Sequence, residues 1–547
     1  MRVKLSHPNT GDIGEGVITF GYSCLAKFQL DGFGFGIQLN VDQLATGLLA
    51  VAGDGRRLSL FNCECRDRTL YPEFVIAGDI KAPQFDSFEV RYSNVSDWFF
   101  RQMHVDGQPG TEVKWRELPA PLVADVSSPG HSFKSESFYV GSLEQDGEDR
   151  TLHQHFEFRF KATHSRFSAT DVKPLALRFS NLLSILLAQA CPIISVDVSV
   201  DGKAYARMYY RIFNAPPNEQ QPKDDRDRFT WLKLFAQKCD IDGCWENIVN
   251  GFFRSKYREV IWSRLAGMQN YEGFWEYRVL GYVTLLDSYV SQSNGKGGAP
   301  NVPPTKKLAR LKTALAAVQP SLDSTQHAAV MDAVTRIFSV QGTFARKFQA
   351  LIGSLDPDVV KIINLTQADF DLIKELRDEV AHGGQPTFAG PDITPVLLIT
   401  NRIILLLTYL FFLDVGLGRD VFLRCLSRPH SSLRRGSDVD VVHLDRILYP
   451  SKFFQVVPQA LLDIQQRPRS LLCSCFIRDA AGVISYSESR STEIWFRILN
   501  GVGGQFHELL GLPKEAVTYI GEAYFEHGMQ TEAVHSVVIV DLARVPA

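Results

Sequence analysis

The sequence carries no strong excess of charge of either sign. Its 58 Lys and Arg stand against 61 Asp and Glu, for a formal net charge of −3. That excludes an overall polycationic nucleic-acid binder but leaves room for a local basic cleft, because binding depends on the field at the site. Cysteine pairs at metal spacing are missing as well. The nine cysteines are odd in number and thinly spread over 547 residues. Cys63-Glu-Cys65 and Cys473-Ser-Cys475 fall in apolar, strand-like runs, and Cys239 and Cys244 stand alone with four residues between them. None forms the C-x-x-C pair of a structural zinc site, so reduced core thiols are expected, with no metal and no disulfide. No apolar h-region follows the basic residues of MRVKLSHPNTGDIGEG, so no secretory signal is read there. Long apolar runs are scarce. Val396–Leu413 is near the minimum spanning length, but Asn401 and Arg402 interrupt it, and Thr394-Pro395 reads as a helix cap with proline at the first helical position. A buried core helix in a cytoplasmic protein is expected, with no membrane contact.

What is present is a composition of 45% hydrophobic and 22% charged residues, as in soluble globular proteins, on a chain long enough for several domains. The expected fold class is multi-domain α+β. Within an expected β-rich N-terminal domain at 1–225, residues 1 to about 165 read as β: GVITFGY, LAKFQL, RLSLFNCEC, EFVIAG and FDSFEVRY are short runs punctuated by Gly, Asp and Pro, the pattern of an antiparallel sandwich or barrel. His153 and His155 in LHQHFEFRF point to one face of such a strand, but no third metal ligand is evident, which favours a solvated strand face. A helix-like stretch, LALRFSNLLSILLAQA, leads into the strands IISVDVSVDG and AYARMYYRIF, and NAPPNEQQPKDDRDR reads as a linker. From 229 to 418 the period becomes helical, with helices expected near 245–266, 271–293, 304–318, 323–353, 366–382 and 394–415. Residues 419–547 mix helix and strand, and CSCFIRD, TEIWFRIL and HSVVIVDLARV look extended. This last part is expected to be a small α+β region of unknown role.

Chemistry concentrates in ELRDEVAHGG, residues 375–384. Thr366 is a fair N-cap with Asp369 three residues on, Leu372, Ile373, Leu376 and Val380 supply an apolar stripe, and Gly383-Gly384 stop the helix. Arg377 and His382 stand near its end. Histidine serves as base or acid at neutral pH, and arginine offers a charged planar fork that fits phosphate oxygens. Cutting RNA without a metal needs groups of these types: a base for the 2′-hydroxyl, an acid for the leaving 5′-oxygen and a cation to neutralise the transition state. Asp378, four residues before His382, shares its face and could orient the imidazole. The plain alternative is a cationic last turn that offsets the helix dipole.

The R-x₄-H signature near the end of the third main helix of an α bundle resembles the HEPN superfamily. The stretches 271–293, 323–353 and 394–415 fit the first, second and last helices of that bundle. The resemblance implies an all-α HEPN domain at 229–418 acting as a metal-independent endoribonuclease, with Arg377, Asp378 and His382 in its catalytic motif and no cofactor or metal. It implies a homodimer in which two motifs line one cleft. The first helix of that bundle carries Glu276 and Asp287, and the acidic residue common on that helix in the family could be either. A second resemblance lies upstream: GDIGEGVITF, GDGRRLSLFNC, FVIAGD and FEVRYSNVSDWF look like the β-rich N-terminal domain of ApeA-like anti-phage proteins, which place that domain ahead of a HEPN domain. The two imply an antiviral effector whose β domain senses infection or restrains the helical one, with RNA (tRNA or mRNA) as substrate and a phage-derived trigger as partner. A non-catalytic HEPN module that binds nucleotide or protein in a defence assembly is the alternative. Ser437-Asp438-Val439-Asp440 is similar to the S-D-x-D step of minimal nucleotidyltransferases, but lacks their upstream Gly-Ser turn and reads better as a turn or helix cap. Arg424, Arg428, Arg434 and Arg435 offer either an RNA path or, as the favoured reading, a solvated basic linker.

Overall fold

Period-two alternation builds the N-terminal strands. In Arg2–His7 (β1), Val3, Leu5 and His7 point inward while Arg2, Lys4 and Ser6 point out or lie at the rim. The computed structural model describes residues 1–8, 11–22, 24–31, 47–67, 69–100, 105–107, 113–115, 118–212, 230–269, 271, 273–293, 313–314, 323, 325–330, 344–381, 392–469 and 471–545. They fall into two units, Met1–Val439 and Asp440–Ala547.

In the first unit, β1 joins Gly11–Thr19 (β2), Lys27–Leu30 (β3), Leu48–Ala52 (β4), Arg57–Arg66 (β5) and Thr69–Ala77 (β6). They pair antiparallel in the order β6–β3–β2–β1–β4–β5, and β5 pairs back to β6. The ring closes into a barrel, which leaves none of these strands with a bare edge along its whole length. Leu5, Ile18, Phe28, Ala50, Leu60, Leu70 and Val75 fill it. Close approach of β2 and β3 requires Gly16, since a Cβ there would fall 2.1 Å from the Gln29 carbonyl oxygen. The sandwich-or-barrel alternative resolves to a barrel with an open sheet attached. Ser87–Tyr92 (β7), Val123–Ser128 (β8), His131–Asp146 (β9), Asp149–Ala162 (β10), Ile193–Ser199 (β11) and Ala206–Tyr209 (β12) continue from β6 in the order β6–β12–β11–β7–β10–β9–β8. Helix Ala169–Leu187 (α1), started by a Ser168/Asp171 capping box, covers one face of this sheet. Phe179 of α1 meets Phe158 and Phe160 of β10 with ring centroids 4.9 and 5.0 Å apart. Trp245, which opens Trp245–Arg254 (α2), joins that aromatic layer 5.9 Å from Phe158. The linker expected at 214–228 lies outside the described residues.

The single helix expected near 245–266 is broken. α2 ends where Ser255 turns extended, and Ser263–Met268 is a separate helix. The Ser255 hydroxyl donates to Asp414 at 2.5 Å, which fixes the break. Further on come Trp275–Ser293 (α3), Phe344–Ser354 (α4), Pro357–Ile363 (α5), Gln367–Ala381 (α6), Thr394–Asp414 (α7), Arg419–Leu426 (α8) and Ser432–Arg435 (α9). α3 packs against α4, α6 and α7. The helix expected at 304–318 and the middle of the one expected at 323–353 lie largely outside the described residues. Among the described residues α7 is the one helix long and apolar enough to cross a membrane, and 78% of its apolar window is buried within the chain. Its two polar residues explain themselves. Asn401 donates to the Gly436 carbonyl at 2.7 Å and accepts from Arg278 at 3.3 Å. Arg402 is buried and donates to Asp369, Asp438 and the Ser437 carbonyl at 3.0–3.3 Å. This is a core helix with a built-in polar clamp.

The second unit contains Val441–Leu448 (α10), Phe453–Gln455 (β13), Pro458–Gln466 (α11), Ser474–Arg478 (β14), Ile484–Tyr486 (β15), Glu488–Leu499 (α12), Val517–His527 (β16) and Gln530–Asp541 (β17). The strands form a mixed sheet in the order β13–β16–β17–β14–β15, with β13/β16 and β14/β17 parallel. One face packs Phe476, Phe525 and Val534 under Leu461 and Ile464 of α11; the other packs Cys475, Val538 and Val540 under Ile494 of α12. CSCFIRD and HSVVIVDLARV are extended over most of their length, as expected, but TEIWFRIL is not. It lies in α12, capped by Ser487, whose hydroxyl accepts from the Arg490 amide at 3.4 Å. Ser491, Ile494 and Ile498 repeat at helical spacing against the sheet. Residues 419–439 lie in the first unit.

Candidate functional site

α6 starts as a capping box should. The Asp369 amide donates to the Thr366 hydroxyl at 3.1 Å, and the Thr366 amide donates to the Asp369 carboxylate at 3.0 Å. Phe370, Ile373 and Leu376 are fully buried and form its seam, whereas Leu372 and Val380 are half-buried at its margin. Phe370 stacks on Phe348 of α4 with centroids 4.1 Å apart, which sets the rotation of α6 against its neighbours. That rotation turns Arg377 inward along α3. Its Nη2 donates to Asp287 Oδ2 at 3.1 Å, its Nη1 lies 3.6 Å from Asp378 Oδ1, and its guanidinium carbon lies 5.8 Å from the Phe344 ring centroid. The side chain is 26% exposed, so the cation is neither free in solvent nor sealed in the core.

Of the two acidic candidates on α3, the structure brings Asp287 to Arg377. Glu276 lies in the first turn of α3, with one carboxylate oxygen buried and without a hydrogen-bond partner. Asp378 lies between Arg377 and Lys374, whose ammonium is 3.5 Å away. His382 lies outside the described residues. Sequence alone could not select Asp287, because the choice depends on which face of α3 meets a helix 90 positions away; the only signal was that an acid interrupts the apolar run LLDSYV.

The competing features have structural duties. The Ser437 hydroxyl donates to the Leu433 carbonyl, and Asp438, at φ 47°, accepts from Arg402. Asp440 accepts from the His443 amide at 2.8 Å and caps α10. The S-D-x-D stretch is thus a turn and a helix cap. Arg428 is not part of a solvated linker: it pairs with buried Asp240 at 2.6 Å and reaches the Phe235 carbonyl. Arg434 donates to the Ser427 carbonyl. His153 pairs with Glu144 at 2.9 Å on an exposed surface, while His155 is mostly buried against Glu157 at 2.8 Å, so only the first of them sits on a solvated face. None of the nine cysteines is in a disulfide. Burial pushes the Cys63, Cys191 and Cys475 thiols up to about 12, well away from a reactive thiolate. Among the described residues no three His, Cys, Asp or Glu side chains converge as a metal-ligand set.

Residues 46–251 match the family model of ApeA N-terminal domain 1. The ApeA match begins just before β4 and ends inside α2, so it takes in half of the barrel, the whole open sheet and α1. GDIGEGVITF lies ahead of it. The match supports a defence protein of the ApeA type, and it stops well before Arg377. No curated protein and no solved structure matches the chain.

Proposed function

We infer that this protein is an anti-phage effector whose helical segment cleaves RNA without a divalent metal. The observation that carries the reading is Arg377 in the last turns of α6, held half-buried at 3.1 Å by Asp287 of α3, in a chain whose preceding region matches an ApeA domain. In this reading His382 takes the proton from the 2′-hydroxyl, and the freed oxygen attacks the adjacent phosphorus. The P–O5′ bond breaks, the 5′-oxygen takes a proton from the protonated His382 of the partner subunit, and a 2′,3′-cyclic phosphate remains. Arg377 neutralises the extra charge on the phosphorus oxygens as the transition state forms. Asp287 holds Nη2 of the guanidinium, whose five N–H donors leave capacity for a phosphate, and so acts as a positioning residue. Asp378 orients the imidazole from one turn back.

The test is incubation of purified protein with total cellular RNA in the presence and absence of EDTA. Cleavage unaffected by EDTA, with 2′,3′-cyclic or 3′-phosphate ends, is expected. Loss of cleavage in EDTA, or 3′-hydroxyl ends, would overturn the metal-independent mechanism. Binding of RNA or nucleotide with no cleavage under any condition would favour the non-catalytic module.

A further inference from the structure

The face of the open sheet opposite α1 is charged, and its charges form two rows. In one row Arg159 on β10, Glu89 on β7, Asp197 on β11 and Arg207 on β12 are direct cross-strand partners. Every charge in it is matched: Arg159 Nη2 lies 2.6 Å from Glu89, and Arg207 Nε 2.7 Å from Asp197. The next row, two residues along, runs Phe138, Glu157, Arg91, Ser195 across β9, β10, β7 and β11. Here Glu157 is engaged by His155 at 2.8 Å, and Arg91 is left over. Arg91 is half-buried, and its guanidinium has no hydrogen bond or ion pair among the described residues. The two rows line a cavity of about 650 Å³, walled on its apolar side by Phe138, Val140 and Ile194. β11 is irregular between Ile193 and Ser195, at the row that contains Arg91, and such bulges re-aim side chains beside binding sites.

A partly desolvated cation without an acceptor is costly, and in a folded protein such a group calls for an explanation. An anion supplied from outside is the simplest. The surroundings restrict which anion. Glu157 is the direct cross-strand neighbour of Arg91, Glu89 lies two residues away on the same strand, and Asp197 is diagonal to it. Neighbouring side chains of this kind are within about 5–8 Å of one another. Glu89 and Asp197 are already paired to arginines, so a phosphate dianion on Arg91 would face Glu157, whereas a single carboxylate joined to a cationic group would be matched at both ends. We propose that this cavity binds a small zwitterion of the α-amino-acid class, its carboxylate on Arg91, its ammonium against Glu157, and its side chain against Phe138 and Val140. The site lies within the ApeA-matching region and is independent of the RNA-cleavage reading, so failure of either leaves the other standing.

The experiment is calorimetric titration of the full-length protein with each free L-amino acid, with inorganic phosphate and acetate as competing probes. Saturable binding of at least one amino acid is expected, weakened about tenfold or more in Arg91→Ala, the loss expected for one charge-assisted hydrogen-bonded contact. Thermal melting of that variant reports whether it folds. Should it not fold, Arg91→Lys and Glu157→Gln give the same reading, each weakening the amino acid while retaining a polar side chain in the row. Absence of heat with every amino acid, phosphate or acetate binding as tightly as the best of them, or unchanged affinity in a folded Arg91 variant would overturn the proposal.

Discussion

Arg377 differs from an ordinary helix-end arginine in having a carboxylate at each terminal nitrogen, Asp287 3.1 Å from Nη2 and Asp378 3.6 Å from Nη1. A guanidinium carries five N–H donors, so these two contacts fix its plane and still leave donors for an oxyanion. Arg377→Ala is therefore expected to slow RNA cleavage on the order of 10²–10³-fold, the range for losing one preorganised donor. Arg377→Lys should recover only part of that, because an ammonium cannot make the two-point contact. Asp287→Ala separates positioning from packing. A pair this exposed contributes no more than about 1 kcal/mol, so urea unfolding should move little while initial rates fall. A large loss of stability with an unchanged rate would make Asp287 purely structural. At this scale the sequence was half legible. The R-x₄-H spacing was visible, whereas the partner on α3 was not, since Glu276 and Asp287 both lie in one amphipathic helix and only its packed orientation tells them apart.

Among the elements, α7 is where burial and polarity are most tightly coupled. Its apolar run was readable as a core helix, and Arg402 was readable as an exception, but what satisfies Arg402 comes from the cap of α6 and the turn at Ser437-Asp438. Removing one partner from a buried charge network leaves the others uncompensated. Arg402→Met is thus expected to destabilise the fold by about 3 kcal/mol in denaturant titration; a change within 0.5 kcal/mol, roughly that of a neutral surface substitution, would mean the network is worth no more than a methionine of similar volume. Other elements were misread for identifiable reasons. TEIWFRIL is rich in β-formers, yet Ser491, Ile494 and Ile498 keep a helical period that local propensity hides. The strands of the N-terminal half were legible one by one, because alternation is local. Barrel closure was not, because it depends on β5 returning to β6 and on β4 crossing to β1.

For the whole molecule, one Arg and one His provide a single acid–base group, while in-line cleavage uses two. A symmetric pair of α6 helices would present two of each to one phosphate. His382→Ala subunits co-expressed with wild type are then expected to form mixed dimers with well under half the wild-type rate; mixed dimers at half rate, or an active monomer, would place the whole reaction in one chain. The first unit carries another consequence in β6. One edge of this strand pairs with β5 throughout, while the other pairs with β3 at Leu70 and with β12 at Val75 and Ile76. The strand is a splice between a closed ring and an open sheet, and neither can peel away while the other keeps its register. In deuterium exchange the amides of Val75 and Ile76 should therefore be among the slowest in the unit, and the ring and the sheet should take up label in one correlated opening. A ligand that stiffens the sheet would then slow exchange inside the barrel, at residues it never touches.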